Sequence, residues 1–361
     1  MNSPPTLAPH GKVFVTGGAG HVGANLVRRL LADGHALRCL VEPGSDRRAF
    51  AGLDVELVEG DIRDAAAMRR AIPGCDRVYH VAAKISVLSP SANEMRELFE
   101  INVTGTRNVM RAALEAGVTR AVLTGSFSAV GYNPDDPSQP SSDEMPFWPF
   151  DAACLPYART KALAEHEMLK VVADGLDAVI ATSCSCVGPW DYAPSRMGRT
   201  LCDFANGKVN AYIPGGFEFV NSRDLANGHV LAMERGQKGH KYVFATGFHT
   251  LDEQIAMWRD VVGPRSRPVR LPASVMSVVS GLYSGALTRF FPKSSPRLTP
   301  GSIRILQMYR HADTTAARTE LGWRPTSMAE AIRDAYEFFA AEGKIDRNAL
   351  VSLPSAITAR P

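Results

Sequence analysis

No two cysteines of the 361-residue sequence form a CxxC pair, although six are present, at 39, 75, 154, 184, 186 and 202. The zinc and thiol-redox motifs that need such pairs are therefore excluded, and reduced thiols with no metal are expected. Cys184 and Cys186 lie two apart, a spacing that puts both on one face of a strand as core positions. Strong charge of one sign is missing too. The formal net charge is only +3, and Lys and Arg are scattered among Asp and Glu, which leaves no clustered footprint for nucleic acid. With 45% hydrophobic and 21% charged residues, the composition is that of a folded globular protein, not a disordered one. Leu271 to Thr288 carries no charge, but Ser274, Ser277, Gly281, Ser284 and Thr288 interrupt it, which makes a poor membrane span. Core packing, a lipid-facing pocket lid and peripheral membrane contact through 271–291 all fit that pattern. The opening residues MNSPPTLAPH show neither the basic segment nor the apolar core of a secretory signal, so a cytoplasmic location is expected.

What is present is a rhythm. From Gly11 to about Thr182, short apolar runs alternate with helical patterns, the sequence form of a parallel sheet covered by helices on both faces. The predicted strands are Lys12 to Thr16, Ala36 to Val41, Val55 to Glu59, Arg77 to Val81, Arg120 to Thr124 and Asp177 to Thr182. Between them lie amphipathic stretches such as Ala24 to Asp33, closed by Gly34, and Asn93 to Ala116, closed by Gly117. The fold class is therefore α/β, a doubly wound parallel sheet. After Thr182 come loops rich in Pro, Gly and aromatics, expected to form a smaller substrate lobe, with Tyr242 to Ala245 returning to the sheet. The expected organisation is a tail over 1–10, a dinucleotide-binding domain over 11–182, an interleaved substrate lobe over 183–345 and a tail over 346–361. Asp313 is placed to cap a short helix stopped by Gly322, and Ser327 with Glu330 forms a capping box for a helix to about Ala341.

Thr16-Gly17-Gly18-Ala19-Gly20-His21-Val22-Gly23 follows the first strand and opens the first helix. Glycines there let the backbone turn tightly and approach a pyrophosphate, which points to Gly17, Gly20, His21, Val22 and Gly23. Glu42 ends the second strand, where a carboxylate accepts both adenosine ribose hydroxyls and repels a 2'-phosphate, favouring NAD over NADP. Arg47 and Arg48 nearby leave the opposite preference open. Asp61 and Ile62 after the third strand would reach the adenine edge. Val81, Ala82 and Ala83 after the fourth would let the cofactor pass close to the backbone. Farther on, Tyr157 and Lys161 are four apart in a helical pattern and share one face. Since a free tyrosine titrates near ~10, an adjacent cation favours its phenolate and brings it toward acid/base work.

Taken together, TGGAGHVG, GDIRD, HVAA, NVTGT and PYARTK, in that order after those strands, resemble the extended short-chain dehydrogenase/reductase family over roughly Lys12 to Ala341. The resemblance implies a Rossmann-type domain, a dinucleotide cofactor and a Ser-Tyr-Lys catalytic set. By motif position these are Ser126 (with Ser128 a second candidate), Tyr157 and Lys161, Lys161 also gripping the nicotinamide ribose. Asn102 would line the cofactor cleft, or else make a structural hydrogen bond.

Dehydratases of the family carry an acidic pair where this chain has Phe127 and Ser128, so elimination of water is set aside. Nucleotide-sugar epimerases show Arg and Asn where this chain has Thr182 and Ser185, which weakens that reading. GPWDYAPSRMG, FVNSRDLANGHVLAME and ELGWRP look most like the dihydroflavonol reductase, 3-beta-hydroxysteroid dehydrogenase and hopanoid-associated branch, which acts mostly on apolar alcohols or ketones. Ser183 departs from that branch, replacing a common proline beside the nicotinamide, and Glu42 replaces the arginine of NADP users. The expectation is an NAD-dependent alcohol dehydrogenase or ketoreductase for a hydrophobic substrate such as a steroid, terpenoid, lipid or polyketide. The alternatives are a nucleotide-sugar epimerase and a noncatalytic NAD sensor. Relatives often dimerise through a helical face, so a homodimer is compatible. Phe147, Trp148, Phe150, Trp190 and Tyr192 either line the substrate pocket or pack against their own lobe.

Overall fold

The structure, a computed structural model, describes residues 11–85, 91–133, 135–136, 138–145, 155–272 and 300–351. The first half alternates strands and helices: β1 (Lys12–Thr16), α1 (His21–Ala32), β2 (Leu37–Val41), β3 (Glu56–Glu59), α2 (Ala65–Ala71), β4 (Cys75–His80), α3 (Ala92–Phe99), α4 (Gly105–Glu115), β5 (Arg120–Ser126), α5 (Pro156–Ala173) and β6 (Ala178–Ser183). Then come β7 (Ser185–Val187), α6 (Arg196–Ala205), β8 (Ala211–Tyr212), β9 (Gly216–Asn221), α7 (Ser222–Arg235), β10 (Lys241–Phe244), β11 (Gly247–Thr250), α8 (Leu251–Val262) and β12 (Val269–Arg270). The chain closes with α9 (Pro300–Gln307), α10 (Thr315–Thr319) and α11 (Met328–Ala341).

Among the described residues, seven strands form one sheet in the order β10-β6-β5-β4-β1-β2-β3, with every pairing parallel. Strand order reverses between β1 and β4, the switch point at which doubly wound sheets open a crevice for ligands. The central strands β1, β5 and β6 are almost wholly buried and apolar on both faces, whereas the edge strand β3 (ELVE) is largely exposed. Val13 and Val15 of β1 face the layer built by α1 and α7, whereas Phe14 faces the layer built by α2, α4 and α5. Outside the sheet, β7, β9 and β11 make a small sheet covered by a second core in which α6, α8 and α11 pack Phe204, Trp258 and Phe339. β10 returns from beyond that lobe to pair with β6, Phe244 beside Ser183.

Differences from the sequence expectation lie at element ends. α1 begins at His21, not Ala24, so the last residues of the glycine segment already belong to the first helical turn. The strand expected to run to Val81 ends at His80, which leaves Val81, Ala82 and Ala83 in the loop. The single helix expected over 93–116 is interrupted by a π-helical turn at Glu100–Thr104, which contains Asn102. Cys184 falls between β6 and β7, not within a strand, although it and Cys186 join one core. The capping box of α11 forms as expected, while Asp313 accepts from the Thr315 amide at 2.8 Å with Thr314 as the N-cap of α10. Residues 273–299 lie outside the described residues, and with them most of the charge-free run; so do Cys154, Phe147, Trp148 and Phe150.

Candidate active site

Glycine is required at the head of α1 by close approach. Gly17 sits at φ +72°, and a Cβ there would lie 2.5 Å from the Ala82 amide nitrogen. A Cβ on Gly23 would run into the Gly17 carbonyl. The turn is thus pressed against the loop after β4, closing the bottom of the switch-point crevice with Val81 and Ala82. Gly20 is the N-cap of α1, with no side-chain cap and no acidic residue in the first turn. That combination leaves backbone N–H groups and the positive end of the helix dipole for an anion, as a pyrophosphate requires. These residues fit a dinucleotide.

His21 stands beside the turn but faces the other lobe. Its ring Nδ1 lies 4.0 Å from Asp191; burial, against the pull of Asp191, pushes its pKa down. Asn25 donates to the His21 and Pro189 carbonyls at 2.9 Å each, and the Arg28 guanidinium lies 4.0 Å over the Trp190 ring. Trp190 and Tyr192 therefore join the cofactor helix to the lobe, packing also on Phe338.

Glu42 is exposed just beyond β2. Arg47 is paired with Glu59, and Arg48 with Asp46 at 2.6 Å, so both nearby arginines already hold carboxylates. Asp61 is engaged by Arg63 at 2.5 Å, whose hydrogen bond holds its carboxyl below the usual range. Ile62 turns its side chain into the core, where it fills the space that a side chain at Gly105 would need.

Across the crevice lie the ends of β5 and β6, with Ser126 and Ser183 in register. The Ser126 hydroxyl lies 2.8 Å from the Ser128 hydroxyl and is near enough to the Tyr157 phenol to influence its titration. Burial pushes the phenol pKa up, Ser126 draws it back, and the Glu165 carboxylate adds to the rise. Lys161, 3% exposed, donates to the Thr124 carbonyl at 2.7 Å, and burial lowers its pKa to about 8 against the pull of Glu165. The ammonium is thus directed at the β5 backbone, one helical turn from the phenol. Ser183 donates to its neighbour's carbonyl, Cys184, at 2.8 Å.

Asn102 binds the protein. Its amide donates to the Lys84 carbonyl (2.9 Å) and the Thr160 hydroxyl (3.0 Å), and its oxygen accepts from the Lys84 amide (2.8 Å). The π-helical turn therefore clamps the β4 loop to α5. Of the two roles open for this residue, the observed contacts are the structural one.

Several residues of the frame lie within the quoted motifs without having been singled out from the sequence. Thr16, His80 and Thr106 form a buried chain, at 2.7 Å and 3.0 Å from the imidazole. Thr106 donates to the Asn102 carbonyl at 2.6 Å, so it accepts from His80 Nε2–H, and Nδ1 accepts from Thr16. Burial and the charge of Lys161 hold this imidazole neutral, with a pKa of about 3. His229 donates to the Leu225 carbonyl and accepts from Thr124, at 2.8 Å each, tying α7 to the strand that carries Ser126. Among the described residues, no three His, Cys, Asp or Glu side chains converge as a metal would need.

Residues 13–245 match the NAD dependent epimerase/dehydratase family. The chain belongs to that family. It is accordingly an NAD(P)-dependent oxidoreductase of the extended short-chain dehydrogenase/reductase type, with the Rossmann-type sheet expected from its sequence. It is 41% identical, over 92% of its length and 99% of the relative's, to sterol demethylase protein B of Methylococcus capsulatus. It is 28% identical, over 97% and 96%, to a Mycobacterium tuberculosis protein named 3 beta-hydroxysteroid dehydrogenase/Delta 5-->4-isomerase. Among solved structures it resembles that of gox2253, with a TM-score of 0.79, 33% identity, and coverage of 92% of this chain and 99% of that one. No helix of the described residues is long and apolar enough to cross a membrane.

Proposed function

We propose that this oxidoreductase interconverts a secondary alcohol and a ketone on a hydrophobic substrate of steroid or terpenoid type, using NAD in preference to NADP. The observation that carries the reading is that Ser126, at the open end of β5, comes near enough to the Tyr157 phenol to draw its pKa down, with Lys161 one helical turn along the same face. A serine and a phenol brought together there have one substrate oxygen to share. The steroid class is supported by the names of the two relatives, a sterol demethylase protein and a 3 beta-hydroxysteroid dehydrogenase.

When bound, the oxidised nicotinamide supplies a hydride acceptor and a positive charge. Tyr157 takes the alcohol proton in oxidation and returns it in reduction. Its raised pKa in the free protein keeps the phenol protonated, ready to act as acid; added positive charge nearby favours the phenolate that oxidation needs. Ser126 donates to the substrate oxygen and sets its distance from Tyr157. Lys161 has three N–H donors, of which the Thr124 carbonyl takes one; the others are assigned to the ribose hydroxyls and to the field at Tyr157. The first turn of α1, with Gly17, Gly20, His21, Val22 and Gly23, would hold the pyrophosphate. Glu42 would accept the adenosine ribose hydroxyls. Asp61 and Ile62 would border the adenine, with Val81, Ala82, Ala83 and Ser183 along the nicotinamide path. Asn102 would act through the loop it clamps.

The test is to incubate the protein with NAD and, separately, hydroxysteroids and sugar nucleotides, following the absorbance of the reduced cofactor. Net reduction with a hydroxysteroid is expected. Isomerised sugar nucleotide without reduced cofactor, or cofactor binding with no turnover of any alcohol, would overturn the reading.

A further inference from the structure

Tyr157, Lys161 and Glu165 recur every fourth residue along α5 and share one face. Glu165 is completely buried. Its carboxylate is held by Lys241 at 2.6 Å, a side chain that reaches in from β10, the edge strand beyond β6. Room for the carboxylate comes from Gly125: a Cβ there would lie 3.1 Å from Glu165 Oε1 and 2.7 Å from the Thr182 hydroxyl. A buried ion pair adds little to stability compared with apolar side chains of the same volume, so folding alone gives no reason to place one here. Its position gives another reason. The pair lies one helical turn behind the ammonium of Lys161, and the Glu165 charge is felt at both Lys161 and Tyr157.

We propose that Glu165, anchored by Lys241, is a positioning residue that fixes the charge of Lys161 and with it the pH range over which Tyr157 exchanges its proton. This rests on the assignment of Tyr157 and Lys161 to the reaction. The ionisable groups around Lys161 are Tyr157 on α5, His80 of β4, His229 of α7 behind Thr124, and the Glu165–Lys241 pair. Both imidazoles are held neutral by burial, so of these groups Glu165 alone carries negative charge. Lys241 faces that charge at 2.6 Å.

The signs are the same for both neighbours. Neutralising Glu165 removes an anion that favours ammonium at Lys161 and opposes phenolate at Tyr157, so both titrations move to lower pH. In Glu165→Gln the rate-against-pH curve for alcohol oxidation is expected to shift bodily toward acid, its alkaline limb by about one pH unit. A residue with a purely structural role would lower the curve without moving it.

A second readout does not depend on turnover. In protein labelled with 15N-lysine, the Lys161 side-chain resonance, assigned by its loss in Lys161→Met, is titrated in the wild type and in Glu165→Gln. If a single substitution prevents folding, Glu165→Gln/Lys241→Met, which removes both buried charges and keeps their volume, is titrated instead. A lower titration point for Lys161 upholds the proposal, even if no alcohol is turned over and the proposed reaction is wrong. An unchanged titration point overturns it, whatever the activity.

Discussion

The two sides of the crevice are held in place by different physics. On the proposed cofactor side, Gly17 and Gly23 let two stretches of backbone touch, backed by the Thr16–His80 hydrogen bond. On the proposed catalytic side, Ser126, Tyr157 and Lys161 hang on a buried polar frame: Asn102 to Thr160, Thr124 to His229, Glu165 to Lys241. A steric contact tolerates no added methyl group but is indifferent to pH, whereas a polar frame tolerates changes of shape yet depends on every proton in it.

The largest expected effect lies on the catalytic side. Tyr157→Phe should reduce kcat about 1,000-fold, within the usual range for loss of a positioned acid/base, while the NAD dissociation constant stays within twofold. A mutant that turns over at the wild-type rate would remove Tyr157 from the chemistry. Next, Gly17→Ala forces a side chain onto a left-handed backbone against Ala82. The combined strain and overlap, about 3 kcal/mol, predicts NAD binding weakened roughly 100-fold by calorimetry. Unchanged affinity would mean that the turn does not hold the dinucleotide. Glu42→Ala should be milder, weakening NAD about tenfold and narrowing its advantage over NADP; an unaltered ratio would place cofactor choice elsewhere.

The smallest effect separates the two sides by pH. Burial lowers His229 to about 4 from its ordinary 6.5, so below pH 6.5 the unfolded chain takes up a proton that the folded one refuses. The stability this group contributes is complete above pH 6.5 and is lost as pH falls toward 4, by about 1.4 kcal/mol per pH unit. His229→Gln should flatten that part of the stability curve, measured by denaturant titration at pH 5 and 6. Glu218 works in the opposite sense, since burial raises it to about 7 and its contribution fades as pH rises from 4.5 to 7; it is present in both proteins and cancels from the difference. Equal slopes in wild type and variant would show that the frame does not depend on this imidazole.

The same contrast explains what could be read from the sequence. Steric requirements leave local marks: Gly17, Gly20 and Gly23 follow a strand and open a helix, and six of the seven strands of the sheet were visible in the alternation of short apolar runs with helical patterns, the seventh as the strand-like Tyr242 to Ala245. The Tyr157–Lys161 spacing is local too. The polar frame joins residues far apart in the chain, Thr124 with His229 and Glu165 with Lys241, and no local pattern announces such pairs. Glu165 had a signal of its own, the third ionisable residue at four-residue intervals, yet a helical glutamate ordinarily faces solvent and only the return of β10 buries it. The π-helical turn at Asn102 was illegible for a similar reason: tertiary contacts with Lys84 and Thr160 set it, not helix propensity.

The most direct measurement follows a labelled hydrogen. A 3-hydroxysteroid carrying deuterium on its carbinol carbon is incubated with the protein and NAD, and the reduced cofactor is analysed by mass spectrometry. Deuterium in the cofactor with the wild-type protein, and its near absence with Tyr157→Phe, is the predicted result. Reduced cofactor free of deuterium, or equal transfer by the two proteins, would contradict the assignment of Ser126, Tyr157 and the glycine turn to one hydride-transfer site.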